Sequence, residues 1–431
     1  MFVNLKHITL ILVLCIIGIS DTMAQTQSAY RTQVLNPDIK TLTLRYITDN
    51  SIIQLERPFL TIGDENRLEI AFDQLSHNTH HYSYTVIHCN ADWTESGLMS
   101  SEYLHGFTSL DINDYDFSET TQQIYTHYRF EFPNEDMQPI VSGNYVIKIY
   151  EDYDAANVIA TVCFCISEPL VEIQAEVNSQ TSIEFSGRYQ QLNLDIDFRD
   201  YYVQNPDQIT VVVKQNDRCD NMVYNPKPTF IEPNRIKYFN SKALIFEGGN
   251  EYRTFDTYSQ YIFGTGVDRI VFDHSDYHAL LYASDNLAKD AHYMSVEDAD
   301  GQYMINAERA GDDFDYKADY MYVHFLLPAE NPWFDGTLYI NGDFTDNKLD
   351  FNSQMQYSYE DKAYYYTAYL KQGGYNYQYL FVPKGNHSGT TQRTEGSFWQ
   401  TENEYTIYVY HRPFGARYDK LIGLLKFKSN Q

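Results

Sequence analysis

The sequence predicts an all-β protein built from consecutive immunoglobulin-like or early-set β-sandwich domains. Three observations carry that expectation. Apolar and polar residues alternate with period two in many short runs, as in Ile39–Ile47, Tyr125–Phe132 and Tyr405–Tyr410, and this is the pattern of half-buried strands. The apolar content is aromatic, with 40 Tyr and 25 Phe in 431 residues, a composition suited to pleated surfaces with one wet side. Turn residues break the runs at sandwich spacing, giving about seven strands in roughly the first 140 mature residues. At about 150 residues per domain, the length suggests three domains.

The first 24 residues read as a cleavable signal peptide. Lys6 and His7 precede the apolar run Ile8–Ile19, and Thr22-Met23-Ala24 supplies small residues at a cleavage site. A helix over that run would span about 18 Å, short of a roughly 30 Å hydrocarbon core. Leu14 before Cys15 disfavours a lipoprotein anchor. The expected mature chain is therefore exported, with no direct membrane insertion.

Residues 25–38 read as an extended arm. Strands are expected at Ile39–Ile47, Leu68–Phe72, Tyr82–His88, Tyr125–Phe132, Tyr145–Tyr150 and Val158–Ile166, closing a first domain over 25–168. Glu168-Pro169 marks the boundary. A second domain, 169–318, takes Leu170–Val177, Leu192–Phe198 and Ile209–Lys214. Pro226, Pro228 and Pro233 make its middle an edge or a long loop. Asp298-Ala299-Asp300-Gly301 reads as a hairpin turn between Tyr293–Val296 and Gln302–Asn306. A third domain, 319–431 and early-set-like, takes Tyr320–Leu327, Thr337–Ile340, Ala363–Leu370, Tyr375–Val382 and Tyr405–Tyr410.

The formal net charge is −28, which argues against nucleic acid, whose phosphates need clustered Lys and Arg. No phosphate loop, dinucleotide fingerprint or nucleophile elbow is present. No catalytic residue, metal site or cofactor is expected. His77, His80 and His81 share a loop, and His274 and His278 have H-x3-H spacing, but neither group has companion ligands. Cys89, Cys163, Cys165 and Cys219 remain in the mature chain. A bridge from Cys89 to Cys163 or Cys165 is one reading, and buried free thiols are the other.

Several strings, read together, resemble the plug protein family of the type IX secretion system of Bacteroidota. They are HCNADW (88–93), SEYLHGF (101–107), THYRFEFPN (126–134), SGNYVIKIY (142–150) and FEGGNEYRTFD (246–256), with LKQGGYNYQYLFV, TEGS and TENEYTIYVYHRPFGARYDKLIG near the C-terminus. The resemblance implies a non-enzymatic periplasmic protein of sandwich domains. It implies binding, as a monomer within the complex, to the periplasmic opening of the outer-membrane translocon barrel while no cargo is engaged.

A second, local resemblance gives the alternative function. Tyr322–Val382 is similar to early-set sandwiches such as glycogen-binding modules, implying a periplasmic or surface glycan binder. Where those modules carry a Trp after the Gly-x-Phe turn, Thr345-Asp346-Asn347 stands here.

For the plug reading, Trp399, Phe414, Arg417 and Tyr418 are expected to form a partner-facing or interdomain patch. Arg, Tyr and Trp are enriched at interface hot spots, and Pro413 with Gly415 makes the segment an irregular turn. Arg417 is also one of few cations in an acidic chain, so an internal carboxylate partner is equally available.

Overall fold

The computed structural model describes residues 29–48, 51–181, 187–289, 292–311 and 313–429. The expected signal peptide lies outside them. Among the described residues the chain is nearly all β, with two single-turn α-helices, Ser100–Tyr103 and Phe314–Lys317. No helix among the described residues is long and apolar enough to cross a membrane.

The strands form three sandwiches. In the first, one sheet runs Gln33–Val34, Val158–Ser167, Gly143–Glu151, Tyr82–Cys89, Ser109–Ile112. The other runs Ser51–Ile53, Ile39–Thr48, Arg67–Gln74, Thr126–Phe132, Asp114–Phe117. Alternate residues of both sheets meet in an aromatic core. There Phe72 stacks on Tyr128 at 5.4 Å and meets the edge of Tyr82 at 5.2 Å, the offset and T-shaped geometries that ring quadrupoles favour.

The second and third sandwiches are not consecutive. Ile209–Gln215 pairs along its whole length with Glu404–His411, which in turn pairs with Lys420–Lys428. These strands face Glu172–Asn178, Tyr189–Asp197 and Arg235–Tyr238 across a core of Leu192, Val211, Ile407 and Ile422. The third sandwich lies wholly between Glu247 and Glu404. One of its sheets runs Val267–Asp273, Asp276–Leu281, Tyr320–Pro328, Ala363–Lys371, Gln356–Ser358. The other centres on Gly373–Pro383, paired with Arg253–Asp256, Tyr303–Ile305 and Gly336–Asn341. The expected division at 318 is therefore corrected. Residues from Arg253 onward belong to the third sandwich, and the last two strands return to the second.

The chain crosses between these two sandwiches at one point. Gly248 donates to the Arg188 carbonyl (2.9 Å), Phe398 to Gly249 (2.8 Å) and Trp399 to Gly187 (2.8 Å). A Cβ on Gly248 would sit 2.0 Å from the Phe398 carbonyl oxygen, so only glycine lets the outgoing and returning strands approach. The strings FEGGNEYR and TEGSFWQ are the two halves of this crossing.

The hairpin expected around Asp298–Gly301 is also corrected. Asp300 and Gly301 do turn, with φ of 50° and 86°, but Tyr293–Val296 is not a strand. Tyr303–Ile305 pairs instead with Ile305↔Gly373 and Tyr303↔Tyr375 register on the central strand.

Candidate partner-binding surface

The C-terminal turn sits on the seam between the first and second sandwiches. Strand Glu404–His411 ends, Ala416 N–H closes a turn onto Pro413 O (2.9 Å) with Gly415 at φ 84°, and the chain returns as Lys420–Lys428. Within the turn, Arg417 donates to the Glu102 carboxylate and to Gly97 O (3.1 Å), and Gly97 N–H donates back to Arg417 O (3.1 Å). The Met99 N–H and then Arg417 hold the Glu102 carboxyl below its usual range. Tyr418 meets His88 edge-on at 5.3 Å. Asp419 accepts the Ala91 N–H (2.9 Å), and Tyr410 donates to Asn144 Oδ1 (2.7 Å). Ala91, Cys165, Val212, Tyr410 and Leu421 form a small apolar core beneath.

Arg417 and Tyr418 are thus interdomain residues, and the internal carboxylate partner is Glu102. Phe414 is different: it is 94% exposed at the tip of the turn. Arg417 holds that tip against Gly97–Glu102, a segment carrying exposed Met99. Beyond it, Leu104–Gly106 pairs with Met137–Pro139, presenting exposed Phe107 and Ile140. Strings SEYLHGF and HRPFGARYD therefore meet in space through Arg417 and Glu102, and each carries an exposed aromatic side chain, Phe107 and Phe414. Trp399 does not join them. It sits at the opposite end of Glu404–His411, about 25 Å away at some 3.3 Å per residue. There its carbonyl accepts from Gln190 Nε2 (2.8 Å).

The other contacts fix the three sandwiches to one another. Between the first and third, Lys371 Nζ donates to Asp73 Oδ2 (2.6 Å), Tyr320 to the same oxygen (2.6 Å), and His127 lies 2.7 Å from Asp73 Oδ1. Lys371 and Asp73 are 1% and 0% exposed, and the Lys371 ammonium beside it holds Asp73 below the usual carboxylate range against the opposing effect of burial. Arg45 joins Glu69 of its own sheet to Asp315 (2.8 Å). Arg57, from a first-sandwich loop, reaches Glu404 (3.0 Å) in the second and Asp343 (3.2 Å) and the Asp300 carbonyl (2.7 Å) in the third. A cavity of about 530 Å³ remains where the three meet, lined by Arg57, Lys214, Asp217, Tyr303, Asp343 and Lys426. Several of its charges are paired internally, as in Lys214–Asp217 (2.8 Å) and Lys348–Asp346 (2.8 Å).

A family model described as "Type 9 secretion system plug protein 1st domain" matches residues 39–168. That range is the first sandwich. A crystal structure of a hypothetical protein from Parabacteroides merdae is 39% identical, covering 93% of this chain and 100% of its own, with a TM-score of 0.89. This chain belongs to the type IX secretion system plug protein family. No curated protein matches it.

The remaining candidate residues of this plug-family chain have structural partners. Its four described cysteines are free. Asn144 pairs with Cys165 on one side and Cys89 on the other, so these two are two strands apart, about 10 Å between Cα atoms. Cys163 lies two residues further along its strand. A disulfide needs Cα atoms within about 7 Å, so the bridge expected as one reading does not fit. Burial pushes the Cys89 and Cys165 thiols up to about 12. His77 meets Ser118 (2.9 Å), His80 meets Glu151 (2.6 Å), and His278 meets His324 (2.9 Å). No group of three potential metal ligands occurs among the described residues. Met99, Phe107 and Arg57 escaped sequence reasoning. The first two lie in or beside a string that carried the resemblance, whereas no periodicity marks Arg57.

Proposed function

We propose that this protein is a non-enzymatic periplasmic plug. It binds the periplasmic opening of the outer-membrane type IX translocon barrel and closes it while no cargo is engaged. Family membership supports the reading. The observation that carries it further is the seam at which SEYLHGF and HRPFGARYD meet. It presents Phe414, Met99 and Phe107 outward on a frame of three mutually anchored sandwiches. An exposed aromatic on a rigid support loses little conformational entropy on docking, and apolar patches of this kind mark interaction sites. The plug body is broad enough to cover a large pore, since a compact chain of about 400 residues has a gyration radius of roughly 22 Å.

The test is co-purification with the translocon from outer membranes. Phe414→Asp with Met99→Asp should abolish capture while leaving the melting temperature within a degree or two of wild type, because both side chains are exposed. Capture of polysaccharide instead, with no large barrel, would overturn the plug reading. Trp333, a natural candidate for a sugar platform, has one face covered by the Arg393 guanidinium at 4.7 Å.

A further inference from the structure

We infer that the outer edge of the third sandwich pairs with the same edge of a second copy, giving a two-fold dimer of the free protein. This goes beyond the plug reading and does not depend on it. Val267–Asp273 ends its sheet, with Asp276–Leu281 on one side and no strand on the other among the described residues. Six of its seven residues are exposed or half-exposed, including Val271 at 43% and Phe272 at 53%. An open edge of this length with apolar side chains is a template for another strand.

Backbone parity limits the registers. Asp273 and Asp276 flank the two-residue loop His274-Ser275, so they form the pair that exchanges both main-chain bonds. Asp273 and Val271 therefore point their backbone groups inward, and Phe272 and Ile270 point theirs to the open side. A two-fold antiparallel partner must set outward groups against outward groups.

Of the registers that do so, one matches the side chains. With Val271 on the axis, Ile270 faces Phe272 and Arg269 faces Asp273, each pair occurring twice, all within the regular part of the strand beyond the bulge at Asp268. Shifting the axis to Ile270 sets Arg269 against Val271. Opposite charges directly across a ladder are favourable, and charges against apolar residues gain nothing. Within one chain Arg269 has no ion-pair partner among the described residues, and Asp273 has only the exposed His274 at 3.8 Å. Beside the strand, Phe272, Tyr277 and Tyr261 form a ring series at 4.9 and 6.5 Å. Exposed Ile262 and Phe263 adjoin it, extending the apolar surface past the ladder.

The test is sedimentation and light scattering of the purified full-length mature chain. Wild type is expected to sediment as a concentration-dependent dimer. Arg269→Asp alone and Asp273→Arg alone should each weaken association at least about tenfold, since each sets like charges opposite one another twice. The combined exchange Arg269→Asp with Asp273→Arg should restore it, an outcome that only this register produces. In a Cys219→Ser background, Val271→Cys should oxidise to a covalent dimer, because paired residues on the axis lie about 4.5 Å apart. A wild type that stays monomeric over the whole concentration range overturns the proposal, as does a dimer insensitive to both single reversals. A monomer whose Arg269→Asp variant loses translocon capture also overturns it, and would assign the edge to a strand of the translocon.

Discussion

Arg57 is a residue at which the first sandwich touches both others, and its acidic neighbours are the buried Glu404 and the half-buried Asp343. Replacing it with Ala leaves Asp343 and Glu404 without that cation. Removing one partner of a buried ion pair costs roughly 3–5 kcal/mol, so Arg57→Ala should lower the urea midpoint substantially. Arg57→Met, which keeps the apolar stem, should lose as much, because charge and not packing is what the acids miss. If Met restores most of the loss, the clamp is packing.

Beside it, burial pushes the Asp298 carboxyl up to about 6, and burial with the Asp298 charge pushes Asp300 up to about 7. Both lie above the unfolded value near 3.9, so the folded form binds protons more tightly. Their contribution to stability is present below about pH 4 and is lost as pH rises through 6 to 7. His88 works in the opposite direction. Burial pushes it down to about 4, so it costs stability as pH falls from 6.5. Asp300→Asn isolates the acidic pair, and Asn accepts the left-handed φ of 50° at that position. The variant should melt above wild type at pH 8, with the gap closing toward pH 5. Parallel melting curves across that range would show that Asp300 is not the titrating group.

At the level of elements, the crossing at Gly248 and Phe398 makes a sharp prediction about two adjacent glycines. Gly248→Ala places a Cβ against a carbonyl that cannot retreat, since Phe398 is itself bonded to Gly249. Loss of folded protein, or a cost of several kcal/mol, is expected. At Gly249 a Cβ would meet nothing nearer than 3.9 Å, and only its φ of 67° resists. Gly249→Ala should cost about 1–2 kcal/mol. Urea unfolding of the two variants checks the order.

Elements of this kind were legible where alternation was unbroken. Tyr82–Cys89, Gly143–Glu151 and Glu404–His411 lie within a residue or two of their sequence-predicted bounds. The pattern reports a strand with one buried face and is silent about the neighbour it pairs with. That is why alternation alone places Glu404–His411 in the third domain although its partner is Ile209–Gln215. Lys420–Lys428 is not marked by alternation, which Gly423 interrupts. That glycine is needed for packing, as its Cβ would meet Val171 Cγ2 at 2.6 Å. Tyr293–Val296 alternates without a partner and forms no ladder. At the candidate site, Arg417 could be read both ways from sequence, and Glu102, more than 300 residues away, decides it.

For the whole molecule, each pair of sandwiches shares buried polar contacts, so the three should unfold together rather than in sequence. Lys371→Met should weaken that coupling by removing the only cation the third sandwich sets on Asp73 among the described residues, leaving it the Tyr320 hydroxyl and His127, and should split one calorimetric transition into two. Disulfides take no part in this frame. Dithiothreitol should leave the melting temperature unchanged, and alkylation of the denatured mature chain without reductant should label four thiols. A drop of several degrees on reduction would contradict the strand spacing that separates Cys89 from Cys165.

The insertion of the third sandwich within the second has a consequence for the order of assembly. As the chain emerges amino-terminus first, the first sandwich can close on residues already delivered. The second cannot: its sheet waits at Ile209–Gln215, an unzipped edge, while the 188 residues before Glu404 arrive and fold. Only when the closing pair from Glu404 onward reaches it is that edge covered. A chain cut short by thirty residues would therefore carry two finished sandwiches around an unfinished one, and be sticky in the middle rather than at its end.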